Sequence, residues 1–190
     1  MKNIKLDNNI ELPCIGFGPG ICGYTPNVAF RRPQRGLRSI PIRAYNKLIR
    51  RPGQEKDYIA AVASAIKKGF RLIDYSAAYG DGNLVRKGIQ QSGISRSELV
   101  LTTRVSNGAQ FKGREAVKQE FFRQLKGLGA DYIDILMFHW PVTDHYEETW
   151  QAMVELYREG YVKTLGVANC HAHHLEKLFT LTEEKPLINQ

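Results

Sequence analysis

The stretch KDYIAAVASAIKKGFRLIDYS, residues 56–76, holds one complete helix-to-strand unit. Its first part places apolar residues at helical spacing and ends at Gly69, as helices commonly do. Its second part, residues 71–76, is short and apolar, which is typical of a strand. The same order of helix, turn and strand recurs to the end of the chain. This repetition predicts β-α-β units and therefore a parallel sheet.

Six strands and five helices are predicted in a single domain that spans residues 1–190. The predicted strands are residues 14–18, 71–76, 99–105, 132–140, 163–169 and a last one that begins with Pro186. The predicted helices are residues 56–69, 82–93, 114–129, 144–160 and 173–184. Ahead of the sheet, Asn8 and Asn9 separate two short alternating runs, which predicts a small hairpin.

Two architectures fit this alternation, a doubly wound sheet and a (β/α)8 barrel. A dinucleotide-binding doubly wound sheet would place a G-x-G-x-x-G motif between its first strand and its first helix. The segment GFGPGICG, residues 16–23, matches that motif only loosely, and no predicted helix follows it closely. The glycines therefore indicate a loop rather than a phosphate-binding turn.

Polar side chains stand at the carboxyl ends of five consecutive predicted strands, which is where chemistry gathers in both architectures. In chain order they are Asp74, Arg104, His139, Asn169 and the pair Asn189-Gln190. Each one alone has a structural explanation as a salt bridge, a cap, a packed histidine or a turn residue. Those explanations would all have to hold at equivalent positions of successive units, so the set predicts a site.

Tyr79, five residues after Asp74, indicates the chemistry of that site. A phenol with a pKa of about 10 is a poor acid–base group near neutrality, and a nearby cation lowers that pKa. Asp74 would hold the cation, and His139 would hydrogen-bond a substrate oxygen. Such a pocket donates a proton to a carbonyl, and reduction then requires a hydride donor, which implies a nicotinamide cofactor.

Several segments resemble those of the aldo-keto reductase family, in the same order along the chain. They are GFRLIDYSAAYGDG (69–82), LVLTTRVSN (99–107), YIDILMFHWP (132–141), VKTLGVANC (162–170) and LINQ (187–190). The resemblance implies an α/β fold of the (β/α)8 TIM-barrel type, NADPH or NADH as the cofactor, and reduction of an aldehyde or ketone to an alcohol.

The resemblance also implies a role for each site residue. Tyr79 would be the proton donor, Asp74 its ion-pair partner through a cation, and His139 the residue that orients the carbonyl. Trp140 would lie beside His139 in the substrate pocket. The cofactor-binding residues that it implies are Asp74, Asn169 and Gln190. No metal site is expected.

The chain departs from the family pattern in four places. Arg104 stands where the family has a catalytic lysine, and arginine keeps the charge but is larger and planar. Ala168 replaces a serine, and GFGPG replaces the usual residues after the first strand. A barrel needs eight strands and typically about 250 residues. Because this chain ends within its sixth strand, we expect an incomplete barrel whose open edges permit self-association.

The excess positive charge lies in one segment, residues 24–55, which would be an insertion between the first strand and the first helix. Its eight arginines and lysines equal the net charge of +8, and residues 27–54 contain no acid. The composition indicates a solvated insertion. The alternative is that this segment lies near the site and contacts cofactor phosphates or an acidic partner. We expect no nucleic-acid partner, because no interleaved aromatic residues accompany the charge.

Further patterns bear on location and on metal binding. Three cysteines with no C-x-x-C pair, no signal-like start and no long apolar run predict a cytoplasmic protein with reduced thiols and no membrane partner. The cluster CHAHH, residues 170–174, fits no standard zinc spacing and indicates the start of a surface helix.

Two functions remain open from the sequence. The first is an NAD(P)H-dependent aldo-keto reductase acting on a small carbonyl substrate. The second is a non-catalytic relative, an incomplete barrel that acts as a binding module or an inactive fragment. Arg104 and the short chain favour the second, and the ordered Asp74, Tyr79 and His139 motifs favour the first.

Overall fold

The computed structural model of the protein describes residues 2–20 and 54–190. The expected basic insertion, residues 24–55, lies outside the described residues except for its last two positions. Within the described part, two strands form an antiparallel hairpin and six form one parallel sheet in chain order. The hairpin strands are β1 (Asn3–Lys5) and β2 (Glu11–Pro13). The sheet strands are β3 (Gly16–Phe17), β4 (Leu72–Asp74), β5 (Val100–Val105), β6 (Ile133–Phe138), β7 (Val162–Val167) and β8 (Ile188–Asn189).

Six α-helices accompany these strands in the described residues. They are α1 (Gln54–Lys67), α2 (Gly82–Ser92), α3 (Asn107–Gln110), α4 (Arg114–Leu128), α5 (Tyr146–Arg158) and α6 (Ala172–Leu181). Five of them confirm the predicted helices, and the sheet confirms the incomplete α/β barrel. The sixth, α3, has no counterpart among the predicted helices. The Ser106 side chain accepts a hydrogen bond from the backbone N–H of Ala109 and so caps a short helix there.

The strands are shorter at their carboxyl ends than the sequence predicts. The predicted strands 71–76 and 132–140 end at Asp74 and Phe138. Beyond those points the backbone still bonds to its neighbour, because Tyr75 N donates to Thr102 O at 3.3 Å and His139 N donates to Val105 O at 3.0 Å. The chain then turns away from the ladder, and the residues after each strand build the loops of one face.

Alternation along the strands separates two buried layers. Leu101 and Val105 of β5 belong to the main apolar cluster between the sheet and the helices. Ile135 and Met137 of β6 are buried but lie outside that cluster. Because side chains alternate between the two faces of a strand, Ile135 and Met137 point to the same face. This is the concave face of the curved sheet, opposite the helices. The concave face therefore forms a second, smaller interior.

The hairpin lies at the amino-terminal end of this interior. Its strands pair with Ile4 opposite Leu12, and Asn9 at the turn has φ of 66°. The Asn8 side chain donates to Lys163 O at 3.1 Å and to Thr164 Oγ1 at 2.9 Å, which fastens the turn to β7. This confirms the predicted hairpin. None of the helices in residues 2–20 and 54–190 combines the length and the apolar character that a membrane crossing needs.

Candidate active site

The predicted site residues all lie at the carboxyl ends of the parallel strands. Asp74 is the last residue of β4, and Arg104 is the penultimate residue of β5. His139 directly follows β6, and Asn169 comes two residues after β7. Gln190 follows β8. Because parallel strands end at one edge, the fold brings these side chains to one face of the molecule.

Asp74, Arg104 and Gln190 form one hydrogen-bonded cluster. The Arg104 Nη2 lies 2.8 Å from Asp74 Oδ1 and donates to Asp74 Oδ2 at 2.9 Å. It also donates to the side-chain oxygen of Gln190, whose own Nε2 donates to Asp74 Oδ2 at 3.1 Å. The other guanidinium nitrogen, Nη1, donates to the carbonyl of Tyr75 at 3.1 Å. The Arg104 side chain is therefore a buried cation that bonds to Asp74, Gln190 and the carbonyl of Tyr75.

The carboxylate of Asp74 is kept ionised by its neighbours. Burial alone would raise its pKa, but hydrogen bonds from Arg104 and Thr102 and the charge of Arg104 outweigh burial and leave the pKa of Asp74 lowered. The Thr102 hydroxyl comes from β5 and bonds Asp74 Oδ1. The cluster thus pairs a buried positive charge on Arg104 with a partly buried negative charge on Asp74.

Tyr79 and His139 form a second cluster. The Tyr79 hydroxyl oxygen lies 2.7 Å from His139 Nε2, and the two rings meet edge to face at 5.3 Å between centroids. Tyr79 is 37% exposed, whereas His139 is only 8% exposed. The phenol therefore reaches the surface of the site, while the imidazole behind it is fixed by the fold.

The surroundings of His139 favour its neutral form. Burial lowers the pKa of His139 and the charge of Arg104 lowers it further, with Asp74 acting in the opposite direction. Its other ring nitrogen, Nδ1, is buried and has no hydrogen-bond partner among the described residues. The Asn169 side chain donates to the His139 carbonyl at 2.8 Å from a backbone with φ of 59°. Asn169 therefore holds the loop that carries the imidazole.

Among the described residues, no hydrogen bond joins Arg104 of the first cluster to Tyr79 of the second. The sequence-based hypothesis placed the cation of position 104 beside the phenol. In the structure the guanidinium turns to Asp74 and Gln190, and the hydroxyl of Tyr79 turns to His139.

Trp140 lies next to His139 at the rim of the site. Its side chain is 49% exposed, and its carbonyl accepts a hydrogen bond from Gln110 Nε2 at 3.0 Å. Gln110 belongs to α3, the helix that the sequence did not reveal. The exposed indole gives the loop that carries His139 an apolar surface.

Two residues that support the site were not predicted from the sequence. Gln124 of α4 donates from Nε2 to the carbonyl of Arg104 at 3.0 Å. Glu120, one helical turn earlier, accepts from the backbone N–H of Ser106 at 2.7 Å and from its hydroxyl at 2.6 Å. These two side chains fix the end of β5. The sequence does carry one signal for them: Glu120 and Gln124 are polar residues four positions apart on the buried side of an amphipathic helix.

The cysteines and the histidine cluster take no part in these contacts. Burial raises the pKa of the Cys170 thiol to about 11, and Cys14 is an exposed free thiol. Cys22 lies outside the described residues. His171, His173 and His174 stack at the start of α6. The described part of the chain contains no group of three or more His, Cys, Asp or Glu residues arranged to hold a metal ion.

Comparison with known proteins shows what the chain is similar to. A sequence model described as "Aldo/keto reductase family" matches residues 47–190. A glyoxal reductase of Bacillus subtilis (strain 168) is 42% identical over 130 residues, which cover 68% of this chain and 46% of that protein. A methylglyoxal reductase of Escherichia coli (strain K12) is 40% identical over 137 residues, covering 71% of this chain and 48% of that protein.

The fold matches a solved structure over the whole chain. An aldo-keto reductase of Bombyx mori in complex with NADP superposes with a TM-score of 0.75 at 27% identity, covering 100% of this chain and 57% of that one. The chain therefore spans about half the length of the curated relatives that it matches.

Proposed function

The chain belongs to the aldo/keto reductase family, and we propose that it reduces a small aldehyde or ketone to an alcohol with a nicotinamide cofactor. The observation that carries this proposal is the Tyr79–His139 pair, 2.7 Å apart at the carboxyl end of the sheet. A half-exposed phenol backed by a buried imidazole is a suitable proton donor for a carbonyl oxygen.

The substrate that we propose is a small carbonyl compound, and the matched relatives narrow its class. They are named as reductases of glyoxal and methylglyoxal, which are compact molecules with two adjacent carbonyl groups. The indole of Trp140, which is exposed on the residue after His139, would supply apolar surface to such a substrate. A compact 2-oxoaldehyde is therefore the first substrate to test.

The cofactor that we propose is NADPH, with NADH as the alternative. The residues present fit the nicotinamide end, because Asn169 is exposed and its side chain makes one hydrogen bond among the described residues, from Nδ2 to the His139 carbonyl. Its side-chain oxygen is thus available as an acceptor for an amide. Asn169 would hold the carboxamide together with Asp74 and Gln190, and the bound nicotinamide would supply the hydride. The complex of the Bombyx mori relative with NADP supports this choice.

The roles of the other residues follow from their contacts. The Tyr79 hydroxyl would donate its proton to the carbonyl oxygen of the substrate as the alcohol forms. His139, neutral near pH 7 because burial lowers its pKa, would hydrogen-bond the same oxygen. Asp74 and Arg104 would keep a fixed, paired charge at the floor of the site.

The second candidate function is that of a non-catalytic relative that binds a partner or ligand. The observation that favours it is the direction of Arg104, whose guanidinium bonds to Asp74, Tyr75 and Gln190 and not to Tyr79. In that case the phenol lacks a bonded cation. Turnover of a carbonyl substrate by the chain distinguishes the two candidates.

Tyr79→Phe tests the proposed reduction, with Tyr161→Phe as the matched control. The two tyrosines are 37% and 36% exposed, but Tyr161 precedes β7 at the opposite end of the sheet. We expect Tyr79→Phe to lower kcat/KM for NADPH-dependent reduction of methylglyoxal by about 100- to 10,000-fold, the usual contribution of a positioned proton donor. Tyr161→Phe should leave the rate unchanged. Equal rates in both variants would contradict the role of Tyr79, and absence of turnover in the parent chain would favour the second candidate.

A further inference from the structure

Arg104 connects strands that are not neighbours. It belongs to β5, and Asp74 ends the adjacent strand β4. Gln190, however, follows β8, which is separated from β5 by β6 and β7 in the sheet. The bond from Arg104 to Gln190 therefore crosses the concave interior of the curved sheet. With its side chain only 6% exposed, Arg104 makes this bond largely out of water.

Both ends of the Gln190 amide are engaged by this cluster. Its oxygen accepts from Arg104, and its nitrogen donates to Asp74 at 3.1 Å. Its backbone is also fixed, because Gln190 N donates to Val167 O at 3.0 Å and Asn169 N donates to Gln190 O at 2.8 Å. The side chain that the family pattern assigns to the cofactor carboxamide is thus already hydrogen-bonded within the protein.

An arginine is well suited to this arrangement, whereas a lysine is not. The guanidinium offers donors on separate nitrogens, and here Nη1 serves the carbonyl of Tyr75 while Nη2 serves Asp74 and Gln190. A lysine has one compact ammonium on a flexible stem and cannot reproduce that planar fork. A lysine at this position would keep the ion pair with Asp74 and lose part of the bonding to Tyr75 or Gln190.

We propose that Arg104 is a positioning residue that fixes the Gln190 amide in its bonds to Arg104 and Asp74, so that a nicotinamide carboxamide competes with these two side chains for Gln190. Arg104 then reduces the contribution of Gln190 to cofactor binding. The side chain of Asn169 makes the principal amide contact with the cofactor. This inference rests on the proposed function, because it concerns the same cofactor.

The first test reads the Gln190 side chain directly and needs no cofactor. The side-chain amide resonance of Gln190 is assigned in the ¹⁵N–¹H NMR spectrum by its loss in Gln190→Glu. We expect it to lie away from the position of an exposed glutamine in the parent chain and to shift towards that position in Arg104→Lys. Arg96→Lys is the matched control, since Arg96 bonds to Leu99 and Asp134 at the other end of the sheet. An unchanged Gln190 resonance in Arg104→Lys would overturn the proposal.

The second test measures NADPH affinity by fluorescence titration. Arg104→Lys should lower Kd by about 3- to 10-fold, the contribution of one hydrogen bond. Gln190→Ala should abolish this gain in affinity when it is combined with Arg104→Lys. This conditional effect is not expected of a residue that only supports the fold, and far-UV circular dichroism checks that each variant is folded.

The outcomes separate this inference from the proposed function. If the parent chain and Arg104→Lys bind NADPH with the same Kd, the proposed competition for Gln190 is overturned. The proposed function is unaffected by that result. Failure of NADPH to bind to any variant, including Arg104→Lys, overturns the proposed function and the competition together. Tighter binding in Arg104→Lys that survives Gln190→Ala shows that Arg104 acts by another route and also overturns the proposal.

Discussion

The two ring nitrogens of His139 lie in different surroundings, and this difference controls its charge. Nε2 lies 2.7 Å from the hydroxyl of Tyr79, whereas Nδ1 is buried without a partner among the described residues. A protonated imidazole carries an N–H at both positions. Protonation would therefore place an unpaired donor in the interior beside the cation of Arg104, and the ring remains neutral near pH 7.

His139 should titrate below the ordinary histidine pKa of about 6.5, because burial and Arg104 both lower its pKa. The unfolded chain then binds more protons than the folded chain in the window between the lowered pKa and about 6.5, so the free energy of unfolding rises with pH across that window. The pKa is measured from the imidazole C–H resonances, and stability is measured by urea denaturation at several pH values.

His139→Gln is the control for that titration. It should remove one titrating resonance and flatten the dependence of stability on pH across the same window. A His139 resonance that titrates at or above the ordinary value would contradict the expected surroundings of the ring.

Helices α1 and α2 pack closely against each other at Gly88. A Cβ at this position would lie 2.5 Å from Val62 Cβ and 3.0 Å from the carbonyl of Ile59, both in α1. Such distances require the helices to separate. Gly127, near the end of α4, offers a contrast, because its nearest neighbour would be the Cα of Gly82 at 3.9 Å.

Replacement of these two glycines by alanine should therefore have opposite effects on stability. Gly88→Ala should lower the free energy of unfolding by about 1–3 kcal/mol, as overpacking usually does. Gly127→Ala should raise it by up to ~1 kcal/mol, because alanine favours a helix over glycine. Urea denaturation followed by circular dichroism measures both. A change of the same sign in the two variants would contradict the close approach of α1 and α2.

The order of helices and strands was predictable because each has its own hydrophobic period. Residues 56–69 and 114–129 carry the helical spacing of α1 and α4, and the apolar run before Arg104 marks β5. The short helix α3 was not predictable, because a four-residue helix has no period and depends on the side chain of Ser106 as a cap. The ends of β4 and β6 were overestimated, because Tyr75 and His139 continue the backbone bonding after the chain has left the ladder.

Which residues share the site was also predictable, since strands of one parallel sheet end at one edge. Their pairing was not predictable. Arg104 could reach either the phenol of Tyr79 or the amide of Gln190, and the choice depends on the curvature of the sheet, which brings β8 across the interior towards β5. Curvature is a property of all the strands together and leaves no local mark in the sequence.

The two outer strands of the sheet, β3 and β8, each have one neighbour among the described residues. The free side of such a strand presents unpaired backbone N–H and C=O groups that can bond a second chain. Each strand is only two residues long, so it offers few hydrogen bonds. Ile15, directly before β3, is 58% exposed and adds apolar surface at that edge. Together these features favour a weak association rather than a tight dimer.

We expect the 190-residue chain to self-associate reversibly, with a sedimentation coefficient that increases with protein concentration. Ile15→Lys places a charge beside β3 and should shift the chain towards the monomer, because charged residues at a sheet edge oppose pairing. Phe111→Lys is the matched control, since Phe111 is 62% exposed but follows α3, away from both outer strands. It should leave the association unchanged. A parent chain that sediments as a monomer at every concentration, or equal effects of the two variants, would show that the sheet edges do not pair.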